Sequence, residues 1–89
     1  MEHDALRRRL RAVMANAFET TPDALPAPAD TDTVERWDSL GHLILIESIE
    51  EAFDITFAHD ETLDMLCEED LLLHLAARLE AELTLTVSA

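Results

Sequence analysis

The chain has no lysine and no tyrosine, a single glycine, a single cysteine and only three valines among its 89 residues. Each shortage excludes something. With Cys67 alone, no internal disulfide can form and a zinc cluster lacks its thiolates. One glycine and three prolines leave few turn signals, and the scarcity of valine and tyrosine argues against a sheet. Leucine and alanine dominate instead, which favours helices. No apolar run approaches the roughly 20 residues of a membrane span. The start of the chain, MEHDALRRRLRAV, has basic residues but no apolar segment or small-residue cleavage site after them, so a cytoplasmic protein is expected.

Positive charge is also scarce. Six arginines face 20 acids, for a net charge of −14, and four of the six are Arg7, Arg8, Arg9 and Arg11. The rest of the chain is therefore strongly negative. Such a surface repels nucleic acid and anionic lipid and steers association toward basic patches on proteins. Neither nucleic acid nor membrane is an expected partner. A hydrophobic fraction of 48% suits one folded domain rather than a disordered chain.

Apolar periodicity gives the organisation. Leu6, Leu10, Val13, Met14, Ala17 and Phe18 form one helical stripe over residues 3–18, with the arginines turned largely away. Residues 20–38 hold Pro22, Pro26 and Pro28 and read as a long loop, a feature often tied to function. A second helix is predicted from Ser39 to about Phe53, with Asp38 as its N-cap. Leu45, Ile46, Ile49, Ala52 and Phe53 fall on one side of it. Glu47, Glu50, Glu51 and Asp54 fall on the other, among Leu40, Leu43 and Ile44.

A short helical piece is expected near Glu61 to Leu66. A last helix follows over about 69–83, burying Leu72, Leu75, Ala76 and Leu79 with Leu71, Leu73 and Leu83 as flanks. The ending LTLTVSA alternates like a strand, and residues 84–89 are expected to fray. The predicted fold is all-α: a small up-and-down bundle of three main helices plus one short helix, with the long loop between the first two.

The chemistry turns on Ser39, a lone hydroxyl at a helix start. Beside an N-cap aspartate, a serine by itself marks no more than the helix start. DSLG overlaps a G-D-S-L hydrolase signature, but Trp37 replaces its glycine, no strand precedes the serine, and Asp70 and His74 are not aimed at it. DTDTVERWDSLG begins like a calcium loop, yet Glu35 and Gly41 stand where glycine and glutamate are required.

WDSLGHL followed by IESIEEAFDITF is similar to the acyl carrier protein family, which binds phosphopantetheine and includes peptidyl carriers. The D-S-L motif alone is weak; with E-E-x-F-x-I-x-F at family spacing it is specific. The helix order matches too, so the resemblance spans roughly residues 3–83. It implies that Ser39 receives a 4′-phosphopantetheine arm from coenzyme A through a phosphopantetheinyl transferase. Asp38 would cap the helix and help the transferase hold Mg2+, and Leu40 would pack beside the arm or in a transferase pocket. Glu47, Glu50 and Glu51 would be the acidic face read by basic partner enzymes.

The implied function is to hold an acyl group as a thioester on that arm, with no catalysis by the protein itself. Implied partners are the transferase, an acyl- or aminoacyl-loading ligase, and downstream synthases or transferases. The chain is expected to be a free-standing, monomeric carrier. The WDSLGH style resembles carriers of secondary-metabolite or surface-polysaccharide pathways more than the fatty-acid carrier. An aminoacyl or peptidyl carrier is the alternative within the family, and a non-carrier acidic interaction module the alternative outside it.

Several residues stay open at this point. LCEED departs from the family's usual start to the last helix, with Glu68 or Glu69 in an apolar place, which bears on how tightly that helix closes the bundle. Ile44, among the acids, is a partner contact or a flank of core. Leu43, Ile46 and Ile49 widen the apolar arc, through core packing or to receive a lipid-like chain. His42 is expected to be half-buried and to donate to a loop carbonyl. His3, His59 and His74 are scattered, Cys67 reads as a small buried residue, and Trp37 as an anchor for the loop. The arginine cluster pairs with acids of the chain or contacts a partner.

Overall fold

The computed structural model describes residues 4–88, with side chains described for 4–81. Four helices form in order: α1 (Asp4–Ala17), α2 (Ser39–Phe53), α3 (His59–Thr62) and α4 (Glu68–Ser88). No strand occurs among the described residues, and the all-α bundle expected from the sequence is what forms. No described helix is long and apolar enough to cross a membrane.

The stripe of α1 buries Leu10 and Met14, with Leu6, Val13 and Ala17 partly buried and Phe18 closing the far end. From α2 come Leu45, Ile46, Ile49 and Phe53, and from α4 Leu71, Leu72, Leu75 and Ala76. Ile55 and Phe57 from the α2–α3 connection, and Met65, join the same core. Each fully buried aliphatic or aromatic side chain contributes on the order of 1.5–3 kcal/mol against solvent exposure.

Some expected positions move. Ala52 is exposed, lining an open groove between α1 and α2, and Leu71 is core rather than flank while Leu73 is exposed. The short helix begins earlier than expected, at His59, because the Glu61 carboxylate reaches back to accept the Ala58 N–H at 2.9 Å. The last helix begins at Glu68. Its backbone continues to Ser88, through the segment expected to fray, because adding a residue to a formed helix is far easier than nucleating one. His3 and Ala89 lie outside the described residues.

Glu68 answers the question raised by LCEED. It is only 2% exposed, and its carboxylate is held by Arg7 at 2.7 Å, by Arg11, and by the Ala29 N–H at 3.1 Å. Arg11 also donates to the carbonyls of Pro22, Leu25 and Pro26. The hydrogen bond to Glu68 raises the Arg7 pKa above its ordinary value, against partial burial that lowers it. Two of the four clustered arginines thus pair within the chain, and a third, Arg9, lies over the Phe53 ring at 4.4 Å.

The same hub fixes the long loop. Glu68 N–H donates to the Ala29 carbonyl at 2.8 Å and Thr31 N–H to that of Leu66 at 3.2 Å, so Asp30 pairs antiparallel with the half-buried Cys67. Asp30 then turns the chain, accepting from Asp32 and Thr33 N–H groups at 2.9 and 2.8 Å. The Thr33 N–H bond first, then the Thr33 hydroxyl and the Asp32 N–H, hold its carboxyl below the ordinary value against desolvation that raises it. Trp37, 2% exposed, seats the loop's end against Phe18 with ring centroids 5.5 Å apart.

Candidate functional site

Ser39 is the first residue of α2 and is exposed. Asp38 precedes it in an extended conformation, and its Oδ1 accepts the Gly41 N–H at 2.8 Å, as predicted for the cap. The N–H groups of Ser39 and Leu40 precede the first intrahelical bond and have no acceptor among the described residues. An oxyanion linked to Ser39 Oγ would meet these donors at the positive end of the helix.

Gly41 has a role that the sequence reading missed. A Cβ there would lie 1.8 Å from the Arg36 carbonyl oxygen, so only glycine lets the loop cross the first turn of α2 this closely. The contact fixes how Trp37, Asp38 and Ser39 enter the helix. One glycine in the whole chain, two residues after the serine, was the available signal.

His42 is half-buried. Its Nδ1 accepts the Trp37 indole N–H at 3.0 Å, and its Nε2 lies 2.7 Å from the Thr62 carbonyl oxygen. The indole only donates and the carbonyl only accepts, so the ring must be the Nε2–H tautomer. The expected donation to a carbonyl is present, but that carbonyl is the last of α3. The indole and imidazole planes are nearly parallel, 16° apart.

Two solvent-open grooves meet at Ser39. One, of about 440 Å3, runs over Trp37, Thr31 and Leu66; the other, of about 450 Å3, runs between α2 and α3 over Leu43, Ile46 and Phe57. Both volumes suit a small organic group. Ser39, His42 and Leu63 line both. Large apolar side chains surround the mouth: Leu40 is 65% exposed, Leu43 57% and Leu63 58%, with Leu66 nearby.

The acidic face divides. Glu47 and Glu51 are exposed and form no ion pair among the described residues, and they border a third groove of about 510 Å3 between α1 and α2. Glu50 differs from expectation. Asp54 adopts the left-handed conformation that ends α2, which returns the chain so that Phe57 N–H donates to Glu50 Oε2 at 2.9 Å. Glu50 is therefore half-buried and engaged within the fold.

Ile44 is exposed beside Glu47 on the α1–α2 groove, so it is not a flank of core. Ile46 and Ile49 are buried in the core while Leu43 is not. His59 is exposed, and His74 bonds Glu61, which also pairs with Arg78. No protein-family model matches this chain, and no curated protein matches it.

Proposed function

We propose that the protein is an acyl carrier, with Ser39 as the attachment point of a 4′-phosphopantetheine arm. The observation that carries this reading is the exposed Ser39 hydroxyl at the first position of α2, where two grooves meet and two N–H donors lack acceptors among the described residues. The resemblance of WDSLGHL and EEAFDITF to the carrier family supports it.

In loading, Ser39 Oγ forms a bond to the pantetheine-bearing phosphorus of coenzyme A. The bond from that phosphorus to the bridging oxygen breaks, and the adenosine bisphosphate leaves with the electron pair. The serine proton passes to the transferase. Asp38 and Gly41 hold the helix start, and the free N–H groups of Ser39 and Leu40 suit the resulting phosphodiester. The arm's thiol supplies the thioester chemistry, so this chain needs no catalytic group of its own.

Leu40, Glu47 and Glu51 are the contacts for the transferase, the loading ligase and the later synthases, through basic patches that the exposed carboxylates attract. Ile44 belongs to that surface. Glu50 contributes its charge from a fixed position. A monomeric cytoplasmic carrier, with an acyl rather than aminoacyl cargo, remains the reading. The exposed leucines near Ser39, together with the exposed Glu47 and Glu51, also favour a second one, a non-carrier module that binds a partner with apolar and basic surface.

Site-localising mass spectrometry separates the two. After co-expression with a broad-specificity transferase, the carrier reading expects the peptide holding Ser39 to bear the arm. An unmodified Ser39 with undiminished binding of partners by Ser39→Ala would favour the module.

A further inference from the structure

The two grooves at Ser39 share a wall formed by Ser39, His42 and Leu63, in which Leu63 is the one aliphatic side chain. Leu63 lines both, and it follows directly on Thr62, whose carbonyl accepts from His42 Nε2 at 2.7 Å. That bond ties the end of α3 to the first turn of α2, while the other ring nitrogen is occupied by Trp37. Helix α3 has only four residues and no side-chain bond of its own to α2 beyond this contact among the described residues. A helix so short has little stability apart from its tertiary contacts. Glu61 ties α3 to His74 and Arg78 of α4, while His42 ties it to α2, so the spacing of Leu63 from the first turn of α2 depends on His42.

We propose that His42 is a positioning residue that latches Leu63 in place as a partition, so that an arm on Ser39 occupies one groove or the other. Release of the latch merges the two into one. This inference rests on the carrier reading of Ser39. It assigns the two ring nitrogens different tasks: Nδ1 seats the indole, and Nε2 holds the partition.

The two tasks can be separated, because asparagine places an acceptor near the Nδ1 position and glutamine a donor near Nε2. Wild type, His42→Asn, His42→Gln and Leu63→Ala are each loaded from a trifluoromethyl-bearing acyl coenzyme A, and loading is verified by intact mass. Fluorine NMR then reads the surroundings of the acyl group. Amide exchange at Thr62 and Leu63, which bond the carbonyls of Ala58 and Asp60, reads the latch without the arm.

Wild type and His42→Gln are expected to show two fluorine signals, one per groove. His42→Asn is expected to show one averaged signal and about tenfold faster exchange at Thr62 and Leu63. Leu63→Ala, at an exposed position that leaves the relay untouched, is expected to merge the signals without altering the Trp37 fluorescence. A role confined to anchoring Trp37 predicts the reverse order, with His42→Asn retaining the wild-type pattern and His42→Gln losing it. That order, a single wild-type signal, or four identical spectra would overturn the partition while leaving the carrier reading standing. Absence of any mass gain would instead remove the carrier reading, and the partition with it.

Discussion

The Glu68 carboxylate lies between Arg7 and Arg11, buried at the point where α1, the long loop and α4 converge. Removing one partner of such a group strands the others in a low-dielectric site. Glu68→Ala is expected to lower unfolding stability by about 3–5 kcal/mol, measured by urea denaturation followed by circular dichroism. The exposed pair Arg36–Glu19 is the control, and Glu19→Ala should change stability by about 1 kcal/mol or less.

Gly41 is expected to resist substitution despite its place in a helix. Alanine there would gain about 1 kcal/mol of helix propensity. Against this stands the Arg36 carbonyl, 1.8 Å from the added carbon, which must move. Gly41→Ala should therefore destabilise by about 1–3 kcal/mol net and displace the loop that delivers Ser39. Thermal unfolding and the Trp37 emission maximum check both halves.

Asp54 points the other way. It sits at φ 55°, ψ 51°, a left-handed conformation that glycine adopts without strain. Asp54→Gly is expected to stabilise the fold by about 1 kcal/mol, read as a higher urea midpoint at unchanged slope.

Glu61 makes stability depend on acid. Partial burial pushes its carboxyl up, but the Ala58 N–H, His74 and Arg78 together outweigh this and hold it below the ordinary carboxylate value. A depressed group stabilises fully above its unfolded pKa, and that contribution disappears as pH falls through the folded one. Stability should thus decline on acidification below the usual carboxylate range. Glu61→Gln should be less stable at neutral pH and show a shallower acid limb in a series of urea midpoints against pH.

What the sequence made legible was local. The stripe from Leu10 to Phe18, the cap at Asp38 and the span of α2 depend on neighbours within a turn or two, and they stand where periodicity put them. Contacts between distant segments were not legible. Glu68 looked like a misplaced charge because its partners, Arg7 and Arg11, are about 60 residues away. Glu50 looked like a free surface acid because the turn at Asp54 that engages it is a three-dimensional event. Around Ser39, the serine, the cap and the exposed Leu40 could be named from sequence. The relay from Trp37 through His42 to Thr62 could be named only in part, since its far end lies 20 residues on.

Ser39 is proposed to be a tether. That role is tested most directly by the intact mass of folded protein after incubation with coenzyme A, Mg2+ and a broad-specificity phosphopantetheinyl transferase, beside Ser39→Ala. The wild type is expected to gain one phosphopantetheine and the variant none. A wild type that gains nothing from several active transferases, or a variant that gains as much, would contradict it.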